Sequence, residues 1–229
     1  MIPAGLADRV RALGRDAPGA LAVFDADGTL WREDVGEAFL RHLVALGWVR
    51  LADGSDPYAA YERAVDRDKA AGYAYAAQLQ AGLLAGRVAA EAEQFARGWV
   101  PSRIVSDTKE LRDRCEEAGL TPFVVSASAL PIVLAAAPLA GIRRENCRGI
   151  EVRIRDGRFT TEVIEPITYA AGKIAAAGGR VALACGDSFT GDRAMLEKAD
   201  VAVVVAPAGG SPLSVEAGKR GWPVLSQDG

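Results

Sequence analysis

LAVFDADGTLW, Leu21–Trp31, runs from four apolar residues straight into two carboxylates one residue apart, Asp25 and Asp27. Leu21, Ala22, Val23 and Phe24 read as a strand buried on both faces, and Gly28 and Thr29 stop it as turn residues do. In an extended chain, residues two apart project to the same side, so Asp25 and Asp27 share a face. Two acids so close, at the end of a buried strand, raise each other's pKa unless a cation or hydrogen-bond donors offset them. They ask for a partner, most simply a divalent metal that prefers oxygen ligands.

Outward from this strand the pattern alternates strand with helix, with one interruption. Four helical stretches follow in a row, Val35–Leu46, Pro57–Ala71, Tyr73–Ala85 and Val88–Trp99, and together they could bury a core of their own. Alternation then resumes: a helix at Asp107–Ala118 with Cys115 facing inward, a strand at Thr121–Ser126, a helix near Leu130–Ala137 and a hairpin over Gly149–Ile164 turning at Asp156-Gly157. A helix near Tyr169–Ala177, a strand at Arg180–Cys185, a helix at Arg193–Ala199 and a strand at Val201–Val205 complete the series. The expectation is an α/β fold: a Rossmann-like, doubly wound, mainly parallel sheet with an inserted helical-bundle cap. Residues 1–34 and 106–229 make the core and residues 35–105 the cap.

Composition narrows the chemistry. Of 229 residues, 50% are hydrophobic, and a net charge of −3 with no Lys/Arg block gives no footprint for nucleic acid. No stretch approaches the ~20 apolar residues of a membrane span. The three cysteines, Cys115, Cys147 and Cys185, form no paired framework, which suits reduced thiols in a soluble cytoplasmic protein. The single histidine, His42, reads as a helix-surface residue, and one histidine cannot build a His-rich zinc site or HExxH. Without a GxSxG elbow, a serine triad is also disfavoured. A metal here is held by oxygen, pointing to Mg²⁺.

Ligands of such sheets bind at the carboxyl ends of strands. There stand Asp25-Ala26-Asp27-Gly28-Thr29, then Val124-Val125-Ser126-Ala127-Ser128, then Gly186-Asp187-Ser188-Phe189-Thr190-Gly191-Asp192, with Gly172-Lys173 opening a helix before the last. Singly each has a plain reading: Ser126 as a helix cap, Lys173 as a surface charge, Asp187 as a turn residue. Jointly, and in this order, they resemble the four motifs of the haloacid dehalogenase superfamily. The helical insert is similar to that superfamily's first type of cap, and SAS with the closing EAGKRGWPVL is similar to the phosphoserine phosphatase-like branch, in which the core strands lie in the order 5-4-1-2-3.

The resemblance implies Mg²⁺-dependent hydrolysis of a small phosphate monoester through an aspartyl-phosphate. Asp25 is then the nucleophile and Asp27 the general acid and base. Asp27, Gly28, Ser126, the Ala127 N–H and Lys173 hold phosphate oxygens. The metal falls to Asp25, the Asp27 carbonyl, Asp187 and Asp192, with Asp192 acting through waters or by orienting Lys173. Dehalogenases lack the second aspartate and transport ATPases carry threonine there, so Asp27 favours phosphoester hydrolysis. The GDxxxxD spacing departs from the GDxxxD of phosphoserine phosphatases and loosens the substrate assignment. Asp34 and Trp31 are the candidate substrate contacts, for an amine-bearing phosphoester such as phosphoserine or phosphocholine, with Trp31 offering a cation–π face. The competing reading packs Trp31 against the cap and makes Asp34 the cap of the helix at Val35. Arg63 and Arg67 are candidates for a substrate anion or, more simply, solvated helix-face charges. Phosphotransfer to an alcohol and a receiver-type phospho-accepting domain are the alternative functions.

Overall fold

The computed structural model describes residues 2–228. Seven strands form one sheet: β1 (Leu21–Phe24), β2 (Thr121–Ala129), β3 (Cys147–Arg155), β4 (Arg158–Ile164), β5 (Val181–Gly186), β6 (Val201–Ala206) and β7 (Val224–Ser226). Their spatial order is β4-β3-β2-β1-β5-β6-β7. Every neighbouring pair is parallel except β3 with β4. The core order 5-4-1-2-3 is present as β6-β5-β1-β2-β3, with β7 and β4 added at the edges. β1 has β2 on one side and β5 on the other, so the winding direction reverses at β1. An open parallel sheet has its binding crevice at that switch point.

The strands are apolar because both faces are covered. Ala22, Val23 and Phe24 of β1 and all of β6 are buried, as is β5 after Val181. Each fully buried large side chain contributes about 1.5–3 kcal/mol relative to exposure. One apolar cluster holds Phe24, Ile132 and Leu183, and a second, on the opposite face, holds Val23, Val125, Met195 and Leu213. The β3–β4 hairpin turns at Asp156 (φ 50°) and Gly157 (φ 72°), the two left-handed residues that match the twist of paired strands.

Helices α1 (Ala4–Asp16), α6 (Ser106–Glu117), α7 (Leu130–Ala136), α8 (Ala171–Ala177), α9 (Arg193–Leu196) and α10 (Pro212–Arg220) flank the sheet. Between β1 and α6 come α2 (Val35–Ala45), α3 (Pro57–Arg67), α4 (Lys69–Gln78) and α5 (Ala85–Trp99). The two middle helices differ from expectation. Asp68 ends α3 in an extended conformation and caps α4 by accepting from the Ala71 N–H, so the break falls at Asp68 rather than near Gly72. The four helices also have no separate core: Phe39, Tyr61, Val88 and Ala92 belong to the same cluster as Phe24 and Ile132. α4 packs on β2, β3 and β4, and α5 packs on α7. The segments entering and leaving this insert are joined, Arg32 N–H to Arg103 C=O and Val105 N–H to Leu30 C=O. Among the described residues no helix is long and apolar enough to cross a membrane.

Candidate active site

At the switch point a cavity of about 140 Å³ opens beneath α2, α3 and α4. Asp25, Asp27, Lys173 and Asp187 line its floor, Ala127 and Ser128 one wall, and Asp34, Glu37, Tyr61, Tyr73 and Gln80 lie above. The ends of β1 and β5 with the start of α8 build the floor and the end of β2 the wall, the three strand ends brought together by the β2-β1-β5 adjacency.

Asp25 continues β1, its N–H donating to Cys185 C=O. Lys173 Nζ donates to Asp25 Oδ1 at 2.5 Å and to Asp192 Oδ1 at 2.6 Å, and all three side chains are at least nine-tenths buried. Burial works against the ammonium, but Asp192 and Asp25 outweigh it and hold the Lys173 pKa above its usual value. Lys173 is therefore a buried counter-ion and not a surface charge. Burial and the Asp192 charge push Asp25 up to about 7 against the opposing pull of Lys173. Asp187 has no such cation in contact; burial, then Asp25 and Asp192, push it up to about 9.

Asp25, Asp187 and Asp192 bring carboxylate oxygens within 4.8 Å of one another. This hard-oxygen set fits Mg²⁺, whose charge would relieve the crowding that raises Asp25 and Asp187. Asp192 has both oxygens engaged: Oδ1 by Lys173, and Oδ2 by the N–H groups of Asp187 at 3.1 Å and Ser188 at 2.8 Å. It orients Lys173 and the Asp187 backbone at once, leaving Asp25 and Asp187 as the carboxylates turned to a cation.

A linkage follows. The folded Asp187 pKa of about 9 lies above its ordinary 3.8, so the folded protein keeps a proton that the unfolded chain has already lost. That stabilisation is full below about pH 4 and fades as pH rises toward 9. In chelator the melting temperature should therefore fall across pH 5–9, and the increment given by Mg²⁺ should grow across the same interval. An Mg²⁺ increment independent of pH refutes the assignment.

Gly28 is left-handed, φ 79°, and a Cβ there would sit 2.3 Å from Asp187 Oδ2. The residue lets the turn approach the Asp187 carboxylate. Its N–H donates to Trp31 C=O and its C=O accepts from Gln227 Nε2, and it does not line the cavity. The expectation that Gly28 binds phosphate is corrected: its amide closes the turn.

Asp27 is held by four donors. Oδ1 accepts from the Val35 N–H at 2.7 Å and the Trp31 indole N–H at 2.9 Å; Oδ2 accepts from the Ser128 hydroxyl at 2.8 Å and the Ser126 hydroxyl at 3.3 Å. Burial raises its pKa in spite of them. Ser126 is fully buried, with its Oγ also accepting from the Ser128 N–H, and it is absent from the cavity wall. The hydroxyl that reaches the cavity is Ser128's, two residues further along β2, where the pairing with β3 shifts register. Ser128 and Ala127 therefore stand at the cavity wall, whereas Ser126, expected there, lies beneath it.

Trp31 is fully buried, bridges to Ile104 and is not part of the cavity. With no ring face open to a ligand, its expected substrate contact is corrected to positioning of Asp27. Trp31→Phe should lower kcat about tenfold, the loss of one hydrogen bond to a charged group, and move the pH–rate limb of Asp27 upward. A limb that stays in place would separate Asp27 from the acid–base role.

Asp34 caps α2, accepting from the Glu37 N–H at 2.8 Å, and also lines the cavity. The capping reading is the one observed, and the cap leaves the residue on the cavity wall. Burial and the neighbouring Asp27 hold its pKa well above the usual carboxylate range. Arg63 and Arg67 are exposed and outside the cavity. His42 lies on α2 with its Nε2 2.7 Å from Glu91 Oε1. The three cysteines are buried and unpaired.

Sequence reasoning missed Ser128 as a wall residue, and Glu37, Gln80, Tyr61, Tyr73 and Tyr169. Glu37 had a signal, standing one helical turn after Asp34 and so on the same face. Gln80 had none, since it follows α4 in an irregular turn.

No curated protein sequence matches the chain. A family model described as haloacid dehalogenase-like hydrolase matches residues 22–197. Among solved structures, a protein of unknown function from Bordetella pertussis Tohama I is 20% identical with a TM-score of 0.78, covering 92% of this chain and 100% of that one. A phosphoserine phosphohydrolase-like protein from Francisella tularensis subsp. tularensis SCHU S4 is 20% identical with a TM-score of 0.54, covering 82% and 87%. A substrate-bound phosphoserine phosphatase is 16% identical with a TM-score of 0.57, covering 86% and 90%. At these identities the likeness is one of fold.

Proposed function

Because the chain belongs to the haloacid dehalogenase-like hydrolases, we propose that it is a Mg²⁺-dependent phosphatase hydrolysing a small, amine-bearing phosphate monoester through an aspartyl-phosphate on Asp25. The observation that carries this reading is the buried Asp25–Lys173–Asp192 chain standing beside Asp187, with Asp27 adjacent. Asp25 and Asp187 would hold the metal, with the Asp27 main-chain carbonyl as the further ligand that the family pattern implies. Bound Mg²⁺ would neutralise charge on the phosphate and on the attacking carboxylate.

The chain's own groups supply the rest. Asp25 attacks phosphorus in its ionised form, which Lys173 favours against burial and the Asp192 charge. The Asp27 carboxyl, raised in pKa, gives a proton to the departing alkoxide and takes one from the water that later cleaves the aspartyl-phosphate. Trp31, Val35 and Ser128 fix the direction of that carboxyl. Ala127, Ser128 and Lys173 face the phosphate oxygens. Asp34 stands where an ammonium on the leaving group would meet it. Residues 35–105 serve as the cap over a core of residues 1–34 and 106–229, and α2–α4 close the cavity against water.

The test is phosphate release from p-nitrophenyl phosphate with Mg²⁺ and with chelator. Release only with Mg²⁺ supports the reading, and equal rates in chelator overturn its metal dependence. Added alcohol that yields a new phosphate ester would reassign the activity to phosphotransfer. A site inert toward every phosphate monoester would end the reading.

A further inference from the structure

The turn between α4 and α5 joins the helical insert to the sheet a second time, far from its two junctions. Leu84 pairs with Arg158 of β4 as an antiparallel bridge. The Phe159 N–H donates to Leu83 C=O at 3.1 Å, the Ala85 N–H to Gly157 C=O at 2.8 Å and the Gly82 N–H to Phe159 C=O at 2.8 Å. Two side chains add to these: Arg158 Nη1 donates to Gly82 C=O at 2.7 Å, and Gln78 Nε2 to Thr161 C=O at 2.8 Å. β4 is an edge strand, and residues 82–85 cover its open side as a short added strand. Apolar packing follows the same seam. Phe159 and Val152 of the hairpin are buried in one cluster with Ala77 of α4 and Val88 of α5.

α5 spans 15 residues between this bridge and the bonded junction at Arg103, a length of roughly 22 Å. Rotation of the insert about that junction by only about 10° would carry the bridge about 4 Å. An N–H···O bond of ~2.7–3.2 Å does not survive such a shift. Opening the insert as one body therefore breaks every bond of the bridge and uncovers Phe159 as well.

We propose that the insert does not swing away from the sheet as one body: the bridge of residues 82–85 to β4 clamps α4 and α5 in place. Tyr73 and Ala76 of α4, which line the catalytic cavity, then form a fixed wall throughout turnover. A leaving group is measured against a wall whose distance from Asp25 and Asp187 stays constant. The clamp goes beyond the phosphatase reading and rests on it only for the activity readout.

The experiment locks the bridge. The bonds flanking Leu84 and Arg158 make them a non-hydrogen-bonded pair, whose Cα separation of about 4.5 Å suits a disulfide. Both are exposed and outside the catalytic cavity, and the three native cysteines are buried. In Leu84→Cys/Arg158→Cys, with the cross-link verified by mass, kcat and kcat/KM for p-nitrophenyl phosphate should agree within about threefold between oxidised and reduced forms. A larger fall on oxidation, reversed by reductant, overturns the proposal. Amide hydrogen exchange of the wild type reads the clamp without activity. The Gly82, Ala85 and Phe159 amides should exchange no more than about a hundredfold faster than those of β6, and faster exchange overturns the proposal. A protein inactive in every form with these amides protected would end the phosphatase reading and retain the clamp.

Discussion

Asp25→Asn should lower kcat for p-nitrophenyl phosphate by about 10⁴ or more while leaving the protein folded. An amide of the same shape cannot attack phosphorus. The substitution also removes a charge that burial already disfavours, since the carboxyl stands near 7 and not near 3.8. Its thermal midpoint in chelator should accordingly equal or exceed that of the wild type, separating lost chemistry from lost structure. Rapid acid quenching should trap a hydroxylamine-labile phosphoprotein from the wild type and none from the variant. A variant that retains full activity, or that is phosphorylated to the same extent, would remove Asp25 from the nucleophile's role.

Lys173→Met carries the largest expected loss of stability. The ammonium is 3% exposed and bonds two carboxylates that are themselves 9% and 0% exposed. Breaking one member out of a buried ionic set leaves the others uncompensated, a loss of about 3–5 kcal/mol. Activity should fall with it by at least about a hundredfold, because Asp25 without its cation retains its proton at neutral pH. Urea denaturation of the single variant and of Lys173→Met/Asp192→Asn reads the coupling. The double variant should recover part of the stability, since Asp192 no longer brings a buried charge, and none of the activity. A single variant that loses less than about 1 kcal/mol would mean that Lys173 is not a buried counter-ion.

Much of this was legible beforehand where local pattern and tertiary environment agree. Apolar runs such as Val201–Val205 have no alternation because both faces of a parallel sheet are covered, so they identify central strands directly. Asp156-Gly157 announced its hairpin through two residues tolerant of positive φ. The Asp68 break was harder, because an acid inside a helical run reads equally as a surface residue or as a cap. Helix α1 and strand β7 went unassigned: Leu6 and Val10 make a thin apolar stripe, and three residues of strand hold no period. At the site, the identity of the acids was readable and their division of labour less so. Trp31 as a sequence letter offers an aromatic face; only its burial beside Ile104 turns it edge-on to Asp27. Ser126 and Ser128 are both hydroxyls on one side of β2, and which of them meets the cavity depends on depth.

The bond from the Val35 N–H to Asp27 Oδ1 joins the first residue of α2 to the proposed general acid. The amino end of a helix concentrates partial positive charge, felt only within about one turn. The orientation of α2 thus sets an acidity. A small swing of that helix away from the sheet would withdraw both the donor and the field, and Asp27 would hold its proton more tightly. In the proposed mechanism the seating of α2 on the sheet and the acidity of Asp27 are thus one property of the structure, set by a helix that makes no bond in the reaction.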